Sequence, residues 1–256
     1  VKLDPRAAQT MHCYLAAMDE ALPGFVTEAY VIGSAVQDDF RPGLSDVNFA
    51  AVVESISSTA TRARVAEVHR RLAEENPACL LDGAYLERFE LAANEPVPRG
   101  PCVRLGAFDA DGSRGRTALA WKALVECGEP VRGDGLRGAP TWLTAKAVDR
   151  AVMAQAQAAA GQVPCGTSRA RPSALSSYVL GIARLHFTLA TATLTSKTKA
   201  GLYGIVTFDG EWTPIIDAAL RVRRDPLSAT SDLSYDRATD FIRMVVHDMH
   251  GLASVA

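Results

Sequence analysis

The sequence predicts a small α/β domain followed by a helical bundle, and three observations carry that expectation. Through the first half, stretches with helical spacing alternate with short runs rich in β-branched and aromatic residues. A glycine-rich segment, Arg132 to Pro140, then interrupts the pattern. Beyond it the apolar residues recur at helical spacing almost to the end of the chain. Such an order describes an α/β layer structure and then helices packed on helices, with the boundary placed between residues 1–138 and 139–256.

The elements follow in order. Asp4-Pro5 is a helix start, an N-cap acceptor followed by proline in the first turn. Met11, Tyr14, Leu15, Met18 and Leu22 then form one apolar stripe, which Pro23-Gly24 ends. Phe25 to Ile32 and Val47 to Val53 are strand candidates separated by a turn at Pro42-Gly43. Thr59 to Glu75 returns to helical spacing through Val65, Val68 and Leu72, and Asn76-Pro77 stops it. Cys79 to Leu86 reads as a third strand. The prolines and glycines of Glu95 to Arg116 suggest a loop around one short strand, Val103 to Phe108. Thr117 to Cys127 is helical, closed by Gly128. In the second half, helices are expected over Trp142 to Ala160 and Ser173 to Thr195, after Lys197, from Thr213-Pro214, and over Asp232 to Met249.

Composition narrows the functional classes. The 256 residues are 48% hydrophobic and 22% charged, with a net charge of −2. No apolar run reaches the roughly 18 residues of a membrane span, so no membrane partner is expected. Near-neutral charge gives no general pull toward nucleic acid, and none is expected as a partner. The five cysteines are scattered without CxxC spacing, as reduced thiols in a cytoplasm would be. The first residues, VKLDPRAAQ, show no charged leader followed by an apolar stretch, in keeping with a cytoplasmic location.

Chemistry concentrates in one stretch, Tyr30 to Val53, YVIGSAVQDDFRPGLSDVNFAAVV. A glycine-serine corner leaving a strand can turn backbone N–H groups and a hydroxyl toward a phosphate. Alternation along the second strand puts Asp46 and Asn48 on one face, across from Gly33 and Ser34. A carboxylate and a second oxygen two residues on suit Mg²⁺, which takes hard oxygen ligands. A further carboxylate from a neighbouring strand would complete the metal site or act as general base, and Asp82 is the candidate. Glu87 or Glu90 are the alternatives after a shift in register. His186 reads as a hydrogen-bonded core histidine, and His247 with His250 as a polar helix face.

Gly33-Ser34 followed by Ser45-Asp46-Val47-Asn48 resembles the GS…DxD signature of the nucleotidyltransferase superfamily. The whole chain is similar to the aminoglycoside adenylyltransferases of the streptomycin/spectinomycin type. Tyr178 to Leu185, Ser196-Lys197 and Ala200-Gly201 resemble a helix and Ser-Lys element of that family's helical C-terminal domain. The resemblance implies a mixed-sheet domain followed by an all-helical one, with ATP and Mg²⁺ bound between the two. A hydroxyl of a small acceptor, with aminoglycoside-like compounds among the candidates, would attack the α-phosphorus and pyrophosphate would leave. Gly33, Ser34 and Lys197, or Lys199 in its place, would hold the nucleotide; Asp46, Asn48 and Asp82 would hold metal, with Asp82 as base or ligand.

Two departures bear on activity. Asn48 stands where the family has its second aspartate. It can offer a carbonyl oxygen but no charge, and a unit charge pair at ~4 Å is worth ~4 kcal/mol at an effective dielectric near ~20, doubled for a divalent ion. A catalytically impaired protein that binds nucleotide or a small ligand is therefore the alternative expectation. Arg169, Arg171, Ser173, Ser176 and Ser177 also occupy the neighbourhood of the family's acidic antibiotic-binding residues, which disfavours a cationic antibiotic as acceptor.

Overall fold

The computed structural model describes residues 3–162, 172–226 and 233–255. They divide into two compact units, Val1–Ala147 and Val148–Ala256. In the first, α1 (Pro5–Ala21) starts where the sequence places it, with Asp4 Oδ1 accepting from the N–H groups of Arg6 at 2.9 Å and Ala7 at 3.3 Å. It is followed by β1 (Val26–Ile32), a 3₁₀ turn over Gly33–Val36, β2 (Val47–Val53), α2 (Thr59–Glu75) and β3 (Leu81–Glu87). Then come the short α3 (Arg88–Leu91), β4 (Gly100–Arg104), β5 (Ala107–Gly112), α4 (Ala118–Cys127) and β6 (Glu129–Arg132).

The six strands form one mixed sheet in the order β5-β4-β3-β2-β1-β6. β2 and β3 run parallel, joined through α2, and the other neighbouring pairs are antiparallel. The central run VNFAAVV is apolar on both sides because both faces of the sheet are covered. On one face Val31, Phe49, Ala51 and Tyr85 pack with Met11, Tyr14 and Met18 of α1 and Val65 and Val68 of α2. On the other, Tyr30, Ala50, Val52, Ala84 and Leu86 pack with Trp121 and Leu124 of α4 and with Trp142. Each large apolar side chain buried this way contributes ~1.5–3 kcal/mol.

Three local features differ from the sequence expectation. The single strand expected over Val103 to Phe108 is a hairpin, β4 and β5, because Leu105 (φ 50°) and Gly106 (φ 80°) form a two-residue turn with both φ positive. Such turns match the twist of paired strands, but Leu-Gly is a weak sequence signal for one. β6 is a further edge strand within reach of β1, and an edge tolerates its Pro130. Trp142 precedes α5 (Ala145–Gln162) instead of opening it, and its ring meets Trp121 edge-on at 5.5 Å.

The second unit is helical. It contains most of α5, then α6 (Pro172–Thr191), α7 (Lys197–Thr207), α8 (Thr213–Arg224) and α9 (Tyr235–Val255). α6 packs against α7, α8 and α9. Its buried residues Leu175, Val179, Leu180, Ile182 and Leu185 recur at helical spacing, as do Ile215, Ile216 and Leu220 on α8 and Phe241, Ile242 and Val245 on α9. His186 is 3% exposed, with Nε2 2.7 Å from Asp248 Oδ2 and Nδ1 2.9 Å from the Tyr203 hydroxyl. Among the described residues no helix is long and apolar enough to cross a membrane.

Candidate functional site

The Gly-Ser corner sits at the end of β1. Gly33 has φ +74°, and a Cβ built on it would lie 2.9 Å from Asn48 Oδ1. Glycine is thus required twice over, by the left-handed backbone and by the side chain that lies against it. Ile32 pairs with Asn48 in the β1/β2 ladder, and Asn48 pairs with Asp82 in the β2/β3 ladder. Strand alternation therefore sets Asn48 and Asp82 side by side on the sheet face that carries Trp121.

Asp46 lies one residue before β2, half-buried. The preceding loop is tied down by the N–H groups of Leu44 and Ser45 donating to Arg41 O at 3.0 and 2.7 Å. Ser45 Oγ in turn accepts from Arg41 N–H at 3.0 Å. Val47 N–H then donates to Leu80 O at 2.8 Å, which fixes where β2 begins. Ser34 is half-buried, and its carbonyl accepts from Gln37 and Asp39 N–H.

Asp82 is 2% exposed and bonded on both oxygens. The half-exposed Arg114 donates from Nε to Oδ1, and Leu105 N–H lies 3.4 Å from Oδ2. Asn48 Nδ2 reaches the Asp82 carbonyl at 3.5 Å. The alternatives Glu87 and Glu90 have structural duties elsewhere. Glu87 accepts from Ile56 N–H at 2.7 Å and caps α3. Glu90 is buried against Arg116, whose Nη2 also donates to Tyr85 O at 2.5 Å.

Arg114 was not singled out by the sequence. It stands in a loop whose glycines dominate its reading, and the available signal was local: two arginines flank Gly115 just before the helix cap Thr117. A guanidinium beside the third carboxylate changes what the site can hold. Among the described residues no three His, Cys, Asp or Glu side chains converge on a metal position. The oxygen donors Asp46 and Asn48 have the right hardness for Mg²⁺, but Asp82 could enter its coordination only by giving up Arg114.

In the second unit, Lys197 opens α7 behind its N-cap Ser196. It is half-buried, and its Nζ donates to Ser177 Oγ at 3.2 Å. Lys199 is exposed. Of the residues expected near the acceptor, Ser176 is buried and donates to Ala219 O at 2.7 Å, a packing role. Arg169 and Arg171 lie outside the described residues.

A mixed six-strand sheet followed by an all-helical unit is also found in a solved structure. The solved structure of spectinomycin adenyltransferase AAD(9) from Enterococcus, determined with ATP and spectinomycin, matches with a TM-score of 0.71 and 12% identity. The match covers 93% of this chain and 98% of that one. Residues 146–249 match the family model described as aminoglycoside adenylyltransferase, C-terminal domain. Residues 146–249, within the second unit, are thus similar to that family's C-terminal domain, and the chain shares the fold of the solved enzyme. A sequence search of the curated proteins finds no match.

Proposed function

We propose that this protein transfers AMP from ATP to a hydroxyl group of a small molecule. The supporting observation is the register that pairs Ile32 with Asn48 and Asn48 with Asp82, with Gly33 against the Asn48 side chain and Asp46 one residue before β2. The backbone corner at Gly33-Ser34 would receive the triphosphate, and Lys197 is proposed as a nucleotide-binding residue. The acceptor oxygen would form a bond to the α-phosphorus as the bond to the bridging α,β-oxygen breaks, with pyrophosphate leaving. The hydroxyl proton would pass to Asp82, once Arg114 releases its oxygen. Mg²⁺, held by Asp46 and the Asn48 carbonyl, would supply neutralisation of the phosphate charge. We place the reaction in a cytoplasm, with ATP as the donor substrate.

A second reading, nucleotide binding with little turnover, is favoured by one specific observation. Asn48 brings no charge, and Asp82 already has a cation in Arg114. Calorimetry with ATP, with and without Mg²⁺, on this chain and on Asn48→Asp separates the two. For a transferase weakened at its metal, Mg²⁺ tightens ATP binding in Asn48→Asp by at least about tenfold over the native chain. ATP that binds neither chain, with or without Mg²⁺, would remove both readings.

A further inference from the structure

Arg114 brings a cation to the sheet face that carries Asn48 and Asp82. It lies in the loop between β5 and α4, and its Nε donates to Asp82 Oδ1. The two side chains are 50% and 2% exposed, so the carboxylate is buried while its guanidinium partner stands half in solvent. A guanidinium is a planar fork of five N–H donors, charged throughout the neutral range. Among the described residues the donors on Nη1 and Nη2 of Arg114 meet no acceptor. The neighbouring Arg116 shows the contrast. Its fork is closed, with Nη1 on Glu90 and Nη2 on Tyr85 O, and its side chain is 1% exposed.

A fork anchored at Nε and open at both Nη groups matches phosphate, which takes parallel N–H bonds from a guanidinium. The placement agrees with that chemistry. Asn48 pairs with Asp82 across strands ~4.8 Å apart, and a Cβ on Gly33 would lie 2.9 Å from Asn48 Oδ1. The Gly33 corner, Asn48, Asp82 and its partner Arg114 thus follow one another across the ends of β1, β2 and β3.

We propose that Arg114 is a phosphate-binding residue of the nucleotide site, drawn from Asp82 onto a phosphate of ATP, so that nucleotide binds without a divalent ion and its arrival frees the Asp82 carboxylate. The inference rests on the adenylyl-transfer reading of the same site. A terminal phosphate carries ~1.5–2 negative charges against one on a carboxylate, which makes it the stronger partner. Asp82 and the nucleotide therefore compete for the same guanidinium. Asn48 fits this arrangement, since a neutral amide adds no repulsion that a metal would have to offset.

Calorimetric titration of ATP in the presence of EDTA tests the proposal on the native full chain, Asp82→Asn and the double variant Asp82→Asn/Arg114→Met. Asp82→Asn removes the competing charge, so metal-free ATP should bind it about threefold more tightly than the native chain, or better. Adding Arg114→Met should then weaken binding by about tenfold or more. Residue 82 is neutral in both variants, so that loss reports the arginine–phosphate contact rather than an unpaired Asp82. In the native chain, nitrogen–proton correlation spectra should show the Arg114 Nε–H resonance shifting with ATP and with inorganic triphosphate. The proposal is overturned if Arg114→Met costs nothing in the Asp82→Asn background, or if Asp82→Asn fails to tighten binding. A native Nε–H resonance left unmoved at saturating ATP overturns it without any variant. ATP that binds the native chain only with Mg²⁺ overturns it too, and leaves the adenylyl-transfer reading standing. ATP that binds neither with nor without Mg²⁺ removes both.

Discussion

Asn48 and Gly33 constrain each other. Because the Asn48 amide oxygen lies where a residue-33 side chain would begin, Gly33→Ala meets both a left-handed backbone and a contact of 2.9 Å. Its expected cost is ~1–3 kcal/mol of stability, measured by denaturant unfolding, with ATP affinity falling because the corner shifts. His69 supplies a second prediction at this scale. Burial holds its folded-state pKa near 3 against an ordinary 6.5, so the unfolded chain binds the extra proton between those values. The stability from neutral His69 is complete above pH 6.5 and is lost as pH falls toward 3. In that window the folding constant should drop by up to about tenfold per pH unit from this group, and His69→Phe should remove that component. Denaturant titrations at several pH values measure it.

Among the elements, the β3–α3 corner is held by a buried charge pair. The side chains of Glu90 and Arg116 are 5% and 1% exposed. Glu90→Gln would leave Arg116 buried without its counter-charge, so a loss of ~3–5 kcal/mol in chemical denaturation is expected. The same region shows what the sequence made legible. β1, β2, α2 and β3 were readable because their apolar periods are long and their caps ordinary. The β4–β5 hairpin was not, since its turn residue Leu105 takes a left-handed φ of 50° that its identity does not announce. β6 escaped notice because a four-residue edge strand containing proline is stabilised by pairing with β1, a partner distant in sequence. In the candidate site, Gly33, Asp46, Asn48 and Asp82 could be named from spacing. Arg114 could not, because its reach to Asp82 depends on how a glycine-rich loop folds back over the sheet.

For the whole molecule, the sheet domain and the helical unit together carry the adenylyltransferase-like fold, each with its own core. The proposed nucleotide-binding role of Lys197 belongs to the second unit. Lys197→Ala is expected to weaken ATP binding about tenfold or more while leaving the melting temperature nearly unchanged, because a half-buried lysine bonded to Ser177 adds little to stability. Calorimetry and thermal unfolding read the two effects. The central claim is that adenylyl transfer takes place at this site, and pyrophosphate release tests it most directly. The native chain and Asn48→Asp are incubated with ATP, Mg²⁺ and a panel of small hydroxyl compounds, with mass spectrometry of the acceptors. Nucleotidyl transfer predicts pyrophosphate and an AMP-bearing acceptor, in greater yield with Asn48→Asp than with the native chain. Neither product from either chain, across a panel that includes spectinomycin-like and simpler alcohols, would contradict it.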